Sequence, residues 1–559
     1  MWGTAVLMGK ALVTLVNPNL VHPPITPYAL DILATSLEAD DFDVDVLDLT
    51  FRRDDWRTAI REYFTNRSPL LVGVTIRNTD TIYAQQQRVF LGDQRDIIGE
   101  IKATTGAPII AGGVGFSSMP FALIDYFEIQ YGVKGPGENV IVGLANALLR
   151  GESADTVPGL LVHRGSGRVD QLLPPSVPRR GKAGFSPLNV MTSYTRRSGA
   201  EFKVDNLRYY RHGGLGNILT KNGCAYSCAH CVEPDAKGTH FTLRAVTAVV
   251  DEMEALCAQG VYDLHTADSE FNLAIAHSKA VLREVVRRKN NDTASPLRHL
   301  RLWIYAQPTP FDEELLDLLV RAGCAGVNLA PDHVRDEILD DWKVTGRGRR
   351  YYHFADVRHL VGLIKKYEIP VMVEVLLGMP GETLETLTDA VEQTLELDAT
   401  VVGYSLGIRA FPYSPLGIDL ARRCAGERTV PGLQSDTAIE PIVLKPRSLC
   451  DGLVEYERQF MFDREGRFRP VYYLSPELPE NPATFTSPNC RWANTVSLLW
   501  DLVPATEYHR VMLPTLPGLT EDDNNYADNP FLLRLIELGY AGAFWSHWPR
   551  RHEIMRGAG

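Results

Sequence analysis

Short apolar runs alternate with amphipathic segments through the first 150 residues of the chain. The apolar runs, which have the length and composition of buried strands, lie at residues 11–16, 44–47, 70–76 and 108–111. The segments with helical spacing lie at residues 28–37, 56–64, 85–102 and 137–149. This alternation predicts a doubly wound parallel α/β sheet in residues 1–150, with its ligands at the carboxyl ends of the strands.

The same alternation resumes between residues 206 and 430. Its strand candidates lie at residues 217–220, 263–267, 302–305, 326–329, 371–377 and 401–408. Helical patterns, such as those at residues 245–258 and 313–322, lie between them. A series of such strand–helix units predicts a second parallel α/β domain, whose active site would also lie at the strand ends.

Two segments lack this alternation. Residues 151–205 are interrupted by prolines at positions 158, 174, 175, 178 and 187, which predicts a linker. Residues 431–559 combine helical and irregular patterns with many aromatic residues. We expect this last segment to form a cap over the second domain.

Composition narrows the class of protein. With 559 residues, of which 45% are hydrophobic and 23% charged, the chain predicts two or three globular domains. No apolar stretch is long enough to span a membrane, and residues 1–16 are interpreted as a first strand rather than a signal peptide. The net charge of −12 disfavours a nucleic-acid partner, because phosphate backbones select for Lys and Arg surfaces. The low cysteine content indicates a reducing cytoplasm.

Three of the eight cysteines stand together directly after the strand candidate at residues 217–220. Cys224, Cys228 and Cys231 lie in one short loop, and their soft thiolates suit the iron of a cubane [4Fe-4S] cluster. Three thiolates leave one iron open for a small molecule or a carboxylate. The alternatives are a structural zinc site, which usually takes four protein ligands, and unrelated buried thiols.

Polar residues and glycines also stand where the predicted strands end. In the first domain they are Asn17, Pro18, Asn19, Arg77, Asn78, Thr79, Gly112, Gly113, Gly115, Gly135, Gly137 and Glu138. In the second domain they are Glu270, Tyr305, Asn328, Gly378, Pro380 and Arg409. Glycine turns before helices let backbone N–H groups approach a large ligand, so both sets are candidate binding sites.

The cysteine spacing and the Gly-Met-Pro-Gly-Glu-Thr run at residues 378–383 resemble the radical S-adenosylmethionine (SAM) superfamily. The preceding glycine-rich domain resembles the cobalamin-binding domain of cobalamin-dependent radical SAM methyltransferases. The resemblance is closest to those that methylate carbon 2 of tryptophan in thiopeptide biosynthesis. It implies a Rossmann-like cobalamin-binding domain, a partial (β/α)6 barrel and a mixed C-terminal cap.

The chain departs from the superfamily at three places. His230 precedes the third cysteine, where the superfamily usually has an aromatic residue. The Asp-x-His-x-x-Gly motif that supplies an axial histidine in other cobalamin proteins is absent, and we interpret His22 as a loop residue. At the second barrel strand, Asp268 and Ser269 replace the usual glycines before Glu270.

The resemblance implies three cofactors, namely a [4Fe-4S] cluster, cobalamin and SAM, with L-tryptophan as substrate and an external electron donor. The strand-end residues would contact the cofactors. Arg77 would lie beneath the cobalt, because a guanidinium is a poor metal ligand and leaves the cobalt four-coordinate. Tyr305 is the candidate base near the indole nitrogen. Glu270 would hold the substrate's amine or become the fourth ligand of the cluster, which would restrict SAM to methyl donation.

Two other functions stay open at this point. One is a radical SAM enzyme that forms a 5′-deoxyadenosyl radical, either to methylate another carbon centre or with the first domain serving only for docking. The other is a non-catalytic iron–sulfur electron carrier or redox sensor. Bound cobalamin would argue against a docking domain, and binding of SAM would argue against a carrier.

Overall fold

A computed structural model describes residues 10–21, 24–82, 84, 87–165, 167–172, 190–191, 202–344, 350–479, 492–514, 534, 537–538, 546–550 and 556. His22, which the sequence analysis interprets as a loop residue, lies outside these described residues.

The first domain is built on a seven-stranded sheet. Its strands are β1 (Leu12–Asn17), β2 (Asp43–Asp48), β3 (Leu71–Thr75), β4 (Ile109–Gly112), β5 (Tyr131–Val133), β6 (Leu160–His163) and β7 (Val169–Gln171). They are ordered β2-β1-β3-β4-β5-β6-β7, and the pairs from β2 to β5 are parallel. The helices are α1 (Tyr28–Ala39), α2 (Trp56–Thr65), α3 (Leu91–Thr104), α4 (Val114–Ser118), α5 (Pro120–Phe127) and α6 (Glu138–Arg150).

Helices on both faces bury the centre of this sheet. Leu15 and Ile110 pack with α1 and α6, whereas Val74 and Ala111 pack with α2, α3 and α5. Because these strands are covered on both sides, β1 and β3 are mostly apolar rather than alternating, and their polar residues are Thr14, Asn17 and Thr75. The predicted doubly wound parallel sheet is therefore confirmed.

Two boundaries in this part of the chain were predicted wrongly. Strands β6 and β7 pair antiparallel at the edge of the first sheet, so residues 160–171 are folded rather than part of a linker. The helix predicted from residue 85 begins at Leu91, because Asp80 and Val89 form an isolated β-bridge before it.

Between the two domains, β8 (Val190–Met191) belongs to a small sheet, and α7 (Asn206–Arg211) precedes the barrel. The sheet has the order β10-β11-β8, where β10 is Lys221–Asn222 and β11 is Thr242–Arg244.

The second domain is an open parallel sheet surrounded by helices. Its strands are β9 (Gly216–Ile218), β12 (Asp263–Thr266), β13 (Arg301–Ala306), β14 (Cys324–Asp332), β15 (Val371–Leu377) and β16 (Val401–Leu406). Consecutive strands in this order pair in parallel, as predicted for a partial barrel. The helices are α8 (Glu233–Lys237), α9 (Val246–Ala258), α10 (Ile275–Asn291), α11 (Glu313–Ala322), α12 (Asp336–Trp342), α13 (Phe354–Lys366), α14 (Leu384–Glu396) and α15 (Pro415–Cys424).

The C-terminal segment joins both domains. Its elements include β18 (Leu433–Gln434), α16 (Leu453–Arg458), β19 (Tyr472–Tyr473), α17 (Trp492–Leu502) and β20 (Val511–Met512). Strand β19 pairs antiparallel with β17 (Ile408–Arg409), which follows β16 in the second domain. Strand β20 pairs in parallel with β16 and lengthens the barrel sheet, and α16 packs on α5 of the first domain. Among the described residues, no helix is both long and apolar enough to cross a membrane.

Candidate active site between two sheets

The carboxyl ends of the two parallel sheets face one large cavity. Its volume is about 820 Å³. The first sheet contributes Thr75 and Gly112 at the ends of β3 and β4. The second sheet contributes Thr266 and Tyr305 from β12 and β13. A cavity of this size accommodates a large ligand and lies where parallel α/β sheets place their ligands.

Most of the predicted strand-end residues line this cavity. They are Arg77, Asn78, Thr79, Gly112, Gly113, Gly115, Gly135, Gly137, Glu138, Glu270 and Tyr305. Residues predicted in two separate domains therefore share one space. Their individual roles stay predictions.

The turn after β1 lies outside the cavity. Asn17 is buried, and its amide group donates hydrogen bonds to Asp48, Thr50 and Tyr209 at 2.9 to 3.0 Å. Residues 18 and 19 border a separate narrow crevice beside Arg77. Asn17 therefore connects β1 to β2 and α7, and the structure gives it protein partners where the sequence analysis predicted a cofactor.

Two of the predicted residues in the second domain also contact protein rather than the cavity. The Arg409 guanidinium pairs with the buried Asp80 carboxylate at 3.2 Å and so joins the barrel to the first domain. Asn328 lies within the barrel and donates a hydrogen bond to Glu374 at 3.0 Å. Burial raises the pKa of Glu374 to about 7.

The Gly-Met-Pro-Gly-Glu-Thr run forms a tight turn after β15. Gly378 has a φ of +92°, and Gly378 and Met379 donate backbone hydrogen bonds to the carboxylate of Glu382. Glu382 is fully buried and also accepts a hydrogen bond from His333. Gly378 and Pro380 lie in this turn and do not line the cavity. The hydrogen bonds to the Glu382 carboxylate therefore stabilise the turn itself.

Glycines at the end of β4 bring two backbone segments into contact. A Cβ atom on Gly113 would lie 2.6 Å from the Ile76 carbonyl oxygen, and one on Gly115 would lie 2.8 Å from that of Arg77. The Gly115 N–H donates to the Arg77 carbonyl oxygen at 2.9 Å. The start of α4 thus fixes the backbone of Arg77, whose exposed guanidinium donates to the Asn78 side chain at 2.7 Å.

The three-cysteine loop is fixed by backbone hydrogen bonds to neighbouring segments. The N–H of Cys224 donates to the Gly238 carbonyl oxygen at 2.9 Å, and that of Ala229 donates to Trp342 at 2.9 Å. Gly223 begins the loop with a φ of +90°, and a Cβ there would lie 1.9 Å from the His240 carbonyl oxygen. Only glycine therefore fits at the start of this loop.

The donor set fits an iron–sulfur cluster. Cys224 and Cys228 are buried and Cys231 is half-buried. Burial raises the pKa of each thiol, and that of Cys228 to about 12, so thiolates here need a metal's positive charge. Among the described residues, no three His, Cys, Asp or Glu side chains converge on one ion. A cubane is wider than one ion, because each thiolate binds a different iron.

Aromatic rings pack around the cysteine loop, although His230 stands where the superfamily usually has an aromatic residue. The His230 ring stacks on Trp342 with centroids 5.5 Å apart and an interplanar angle of 19°. Tyr226 stacks on Tyr351 with centroids 3.4 Å apart. His230 therefore occupies the position of the usual aromatic residue as a flat, stacked ring.

Glu270 faces the cysteine loop from the end of β12. Its backbone has a φ of +64°, a conformation that is strained for a residue with a side chain. One carboxylate oxygen accepts a hydrogen bond from Gln307 at 2.8 Å, and the other is buried with no hydrogen-bond partner among the described residues. Burial raises the pKa of Cys224 and Cys228, and the charge of Glu270 adds to that effect.

Tyr305 lies opposite a neutral histidine. Its ring meets His265 edge-on, with centroids 4.9 Å apart, and both side chains line the cavity. Burial lowers the pKa of His265 to about 4. Sequence reasoning missed His265, and also Glu233 and Lys237 on α8, which line the same cavity.

Comparisons with known proteins identify both domains. The B12 binding domain family matches residues 19–145, and the radical SAM superfamily matches residues 218–394. The chain is 58% identical to "Tryptophan 2-C-methyltransferase" of Streptomyces laurentii, over 99% of this chain and 98% of that protein. It is 23% identical to "Cytidylyl-2-hydroxyethylphosphonate methyltransferase" of Streptomyces wedmorensis, over 57% of this chain and 61% of that protein.

Solved structures agree with this relation. The radical SAM methyltransferase TsrM from Kitasatospora setae, with cobalamin and a [4Fe-4S] cluster bound, is 57% identical, with a TM-score of 0.92. That match covers 98% of this chain and 99% of the TsrM chain. A second TsrM structure contains tryptophan and the SAM analogue aza-SAM, with 56% identity, a TM-score of 0.90 and the same coverage. The fold and the family follow together: this chain belongs to the radical SAM methyltransferases with a B12 binding domain that include tryptophan 2-C-methyltransferase and TsrM.

Proposed function

We propose that this protein transfers a methyl group from SAM, through cobalamin, to carbon 2 of L-tryptophan. The observation that carries the proposal is the single cavity between the strand ends of the two domains. Arg77 and Gly113 of the B12 binding domain border the same space as Glu270 and Tyr305 of the radical SAM domain. Near full-length similarity to a tryptophan 2-C-methyltransferase supports the choice of substrate.

The turns of the first sheet would hold cobalamin. Close packing at Gly113 and Gly115 leaves backbone rather than side chains at this wall of the cavity, which suits a large flat ligand. Cobalamin, when bound, supplies a metal that accepts a methyl group from SAM and releases it to the indole ring. Arg77 would lie beneath that metal, because its permanently charged guanidinium offers no electron pair for coordination.

The three cysteines would hold the [4Fe-4S] cluster, with Glu270 as its fourth protein ligand. The support for Glu270 is its buried carboxylate oxygen, which has no hydrogen-bond partner in the described part of the chain, together with its strained backbone beside the cysteine loop. A carboxylate bound there would keep the amino and carboxylate groups of SAM away from the cluster. SAM would then serve as a methyl donor only.

Tyr305 would act on the indole nitrogen. Its oxygen would accept a hydrogen bond from the indole N–H and so raise the electron density at carbon 2 as the methyl group arrives. Carbon 2 would then lose its hydrogen as a proton, which restores the aromatic ring. The edge-on contact with His265 holds the Tyr305 ring in place. An external electron donor and a cytoplasmic location complete the proposal.

The proposal is tested with SAM that carries a deuterated methyl group. Protein containing both cofactors should convert L-tryptophan to a product with one labelled methyl group at carbon 2, and cobalamin-free protein should not. The Tyr305→Phe variant should bind both cofactors and lose about a hundredfold in kcat. Label at another carbon, or full activity without cobalamin, would contradict the proposal.

A further inference from the structure

A short helix after the cysteine loop presents a charged pair to the cavity. Glu233 and Lys237 stand four residues apart on α8, and their side chains form an ion pair at 2.7 Å. Both residues line the cavity. The Lys237 ammonium also donates to the Ala267 carbonyl oxygen at 3.2 Å, and Glu233 accepts a hydrogen bond from Ser269. The pair is therefore attached to the segment that follows β12.

Helix α8 is held in place from the opposite side. Asp235, between the two charged residues, pairs with Lys134 of the first domain at 2.7 Å. Lys134 directly follows β5, and its ammonium lies 4.0 Å from the centre of the Tyr413 ring. Asp235 faces the first domain, whereas Glu233 and Lys237 are the charged residues of α8 that face the cavity.

The backbone step from His265 in β12 to Ala267 just after it is comparable to the length of an amino acid with an indole ring. His265 contacts Tyr305, and Ala267, two residues further along, contacts Lys237. Two residues of extended strand span about 6.6 Å. Five bonds separate the indole nitrogen of tryptophan from its carboxylate carbon, a separation of roughly 6 Å with standard bond lengths. Tyr305 and Lys237 line the same cavity, and tryptophan has the length to extend from one of these contacts toward the other.

The charges of the cavity also favour Lys237. Among the described residues that line it, Arg77 and Lys237 are the only Arg and Lys residues, and Arg77 lies in the turn after β3 of the first sheet. An ammonium has three donors, and Lys237 uses two of them, for Ala267 and Glu233. The third donor suits an α-carboxylate, and the Glu233 carboxylate beside it suits an α-ammonium.

We propose that Lys237 and Glu233 recognise the zwitterionic amino-acid end of the substrate, with Lys237 on the carboxylate and Glu233 on the ammonium. This inference rests on the proposed function, because Tyr305 defines where the indole nitrogen lies. SAM has the same amino-acid end. The spacing from Tyr305 assigns the pair to tryptophan, and the experiment separates the two ligands.

The test compares Lys237→Met with the wild-type holoenzyme. Met keeps the length of the side chain and removes its charge. The KM for L-tryptophan should rise about ten- to a hundredfold, whereas the inhibition constant of tryptamine, which lacks the carboxylate, should stay within about twofold. The KM for SAM should not change. Lys237→Arg should restore most of the affinity for tryptophan.

A second variant keeps the inference testable if Lys237→Met loses its cofactors. Glu233→Gln should weaken the binding of L-tryptophan about tenfold. It should leave the binding of indole-3-propionate, which lacks the ammonium, unchanged. Iron content and the cobalamin spectrum check the integrity of each variant. Three results would overturn the inference: equally weakened binding of tryptophan and its analogue, an unchanged KM for tryptophan, or a raised KM for SAM. In those cases wild-type protein still methylates tryptophan, whereas failure of the proposed function would appear as no methylated product from wild type.

Discussion

At Glu270, the backbone and the side chain are both in states that cost free energy. A φ of +64° is unfavourable for glutamate, and so is a buried carboxylate oxygen that no described residue hydrogen-bonds. Such strain persists where the surrounding fold imposes it, and it is concentrated at functional sites. A bond from this oxygen to iron would relieve the second cost.

Replacing Glu270 with Gln should therefore change the cluster without removing it. The variant should keep the iron held by three cysteines and bind added small ligands at the fourth iron, as seen by electron paramagnetic resonance. Wild-type protein should form S-adenosylhomocysteine and no 5′-deoxyadenosine, because SAM cannot chelate the cluster. Glu138→Gln serves as the control, because it removes a carboxylate from the part of the cavity wall that the first domain supplies. It should leave the cluster spectrum unchanged. A spectrum of Glu270→Gln that ignores added ligand would rule out the carboxylate bond.

Single residues can be selected from the sequence most readily where chemically related side chains stand at a short spacing. Three cysteines within one loop can be recognised from the amino-acid sequence alone. Lys237 and Glu233 were missed because two charges four residues apart are typical of any exposed helix. Only the tertiary packing of α8 against β12 reveals that this pair faces the cavity.

At the scale of single elements, the cysteine loop depends on the conformation of its glycines. Gly223 and Gly238 both have a φ of +90°, but their surroundings differ. A Cβ on Gly223 would overlap the His240 carbonyl oxygen, whereas one on Gly238 has open space within 4 Å. The two positions therefore separate steric exclusion from backbone strain.

Gly223→Ala should abolish cluster binding, because the loop cannot keep its path past His240. Gly238→Ala meets no close contact and carries only the strain of a backbone conformation that glycine favours, about 1 to 3 kcal/mol, so it should keep most of its iron. Iron analysis and the visible absorbance of anaerobically reconstituted protein measure the difference. Equal iron content in both variants would show that the close approach to His240 is not required.

Helices and strands with strong periodicity were predictable, whereas sheet edges were not. The runs that became β1, β3 and β15 are mostly apolar because both faces of each sheet are covered. Strands β6 and β7 lie in a proline-containing segment that resembles a linker in the sequence. Strand β20 has two residues, and its pairing with β16 depends on contacts about a hundred residues away in the chain.

For the molecule as a whole, the central feature is the contact between two domains that each supply half of one site. The buried pair of Asp80 and Arg409 crosses between them next to the Arg77 loop. Helix α16 adds a second connection, where Glu457 accepts a hydrogen bond from the N–H of Ala122 at 2.8 Å. These connections keep the strand ends of both sheets around one cavity, so that SAM, cobalamin and tryptophan can be neighbours.

The passage of the methyl group through cobalamin is tested most directly by a double-label experiment that follows the first and the subsequent turnovers. The holoenzyme is loaded with cobalamin carrying a ¹³C methyl group and is then given L-tryptophan with SAM carrying a deuterated methyl group. The account predicts that the first equivalent of 2-methyltryptophan contains ¹³C and that later equivalents contain deuterium. Deuterium in the first equivalent, with the ¹³C methyl group still on cobalamin, would contradict it.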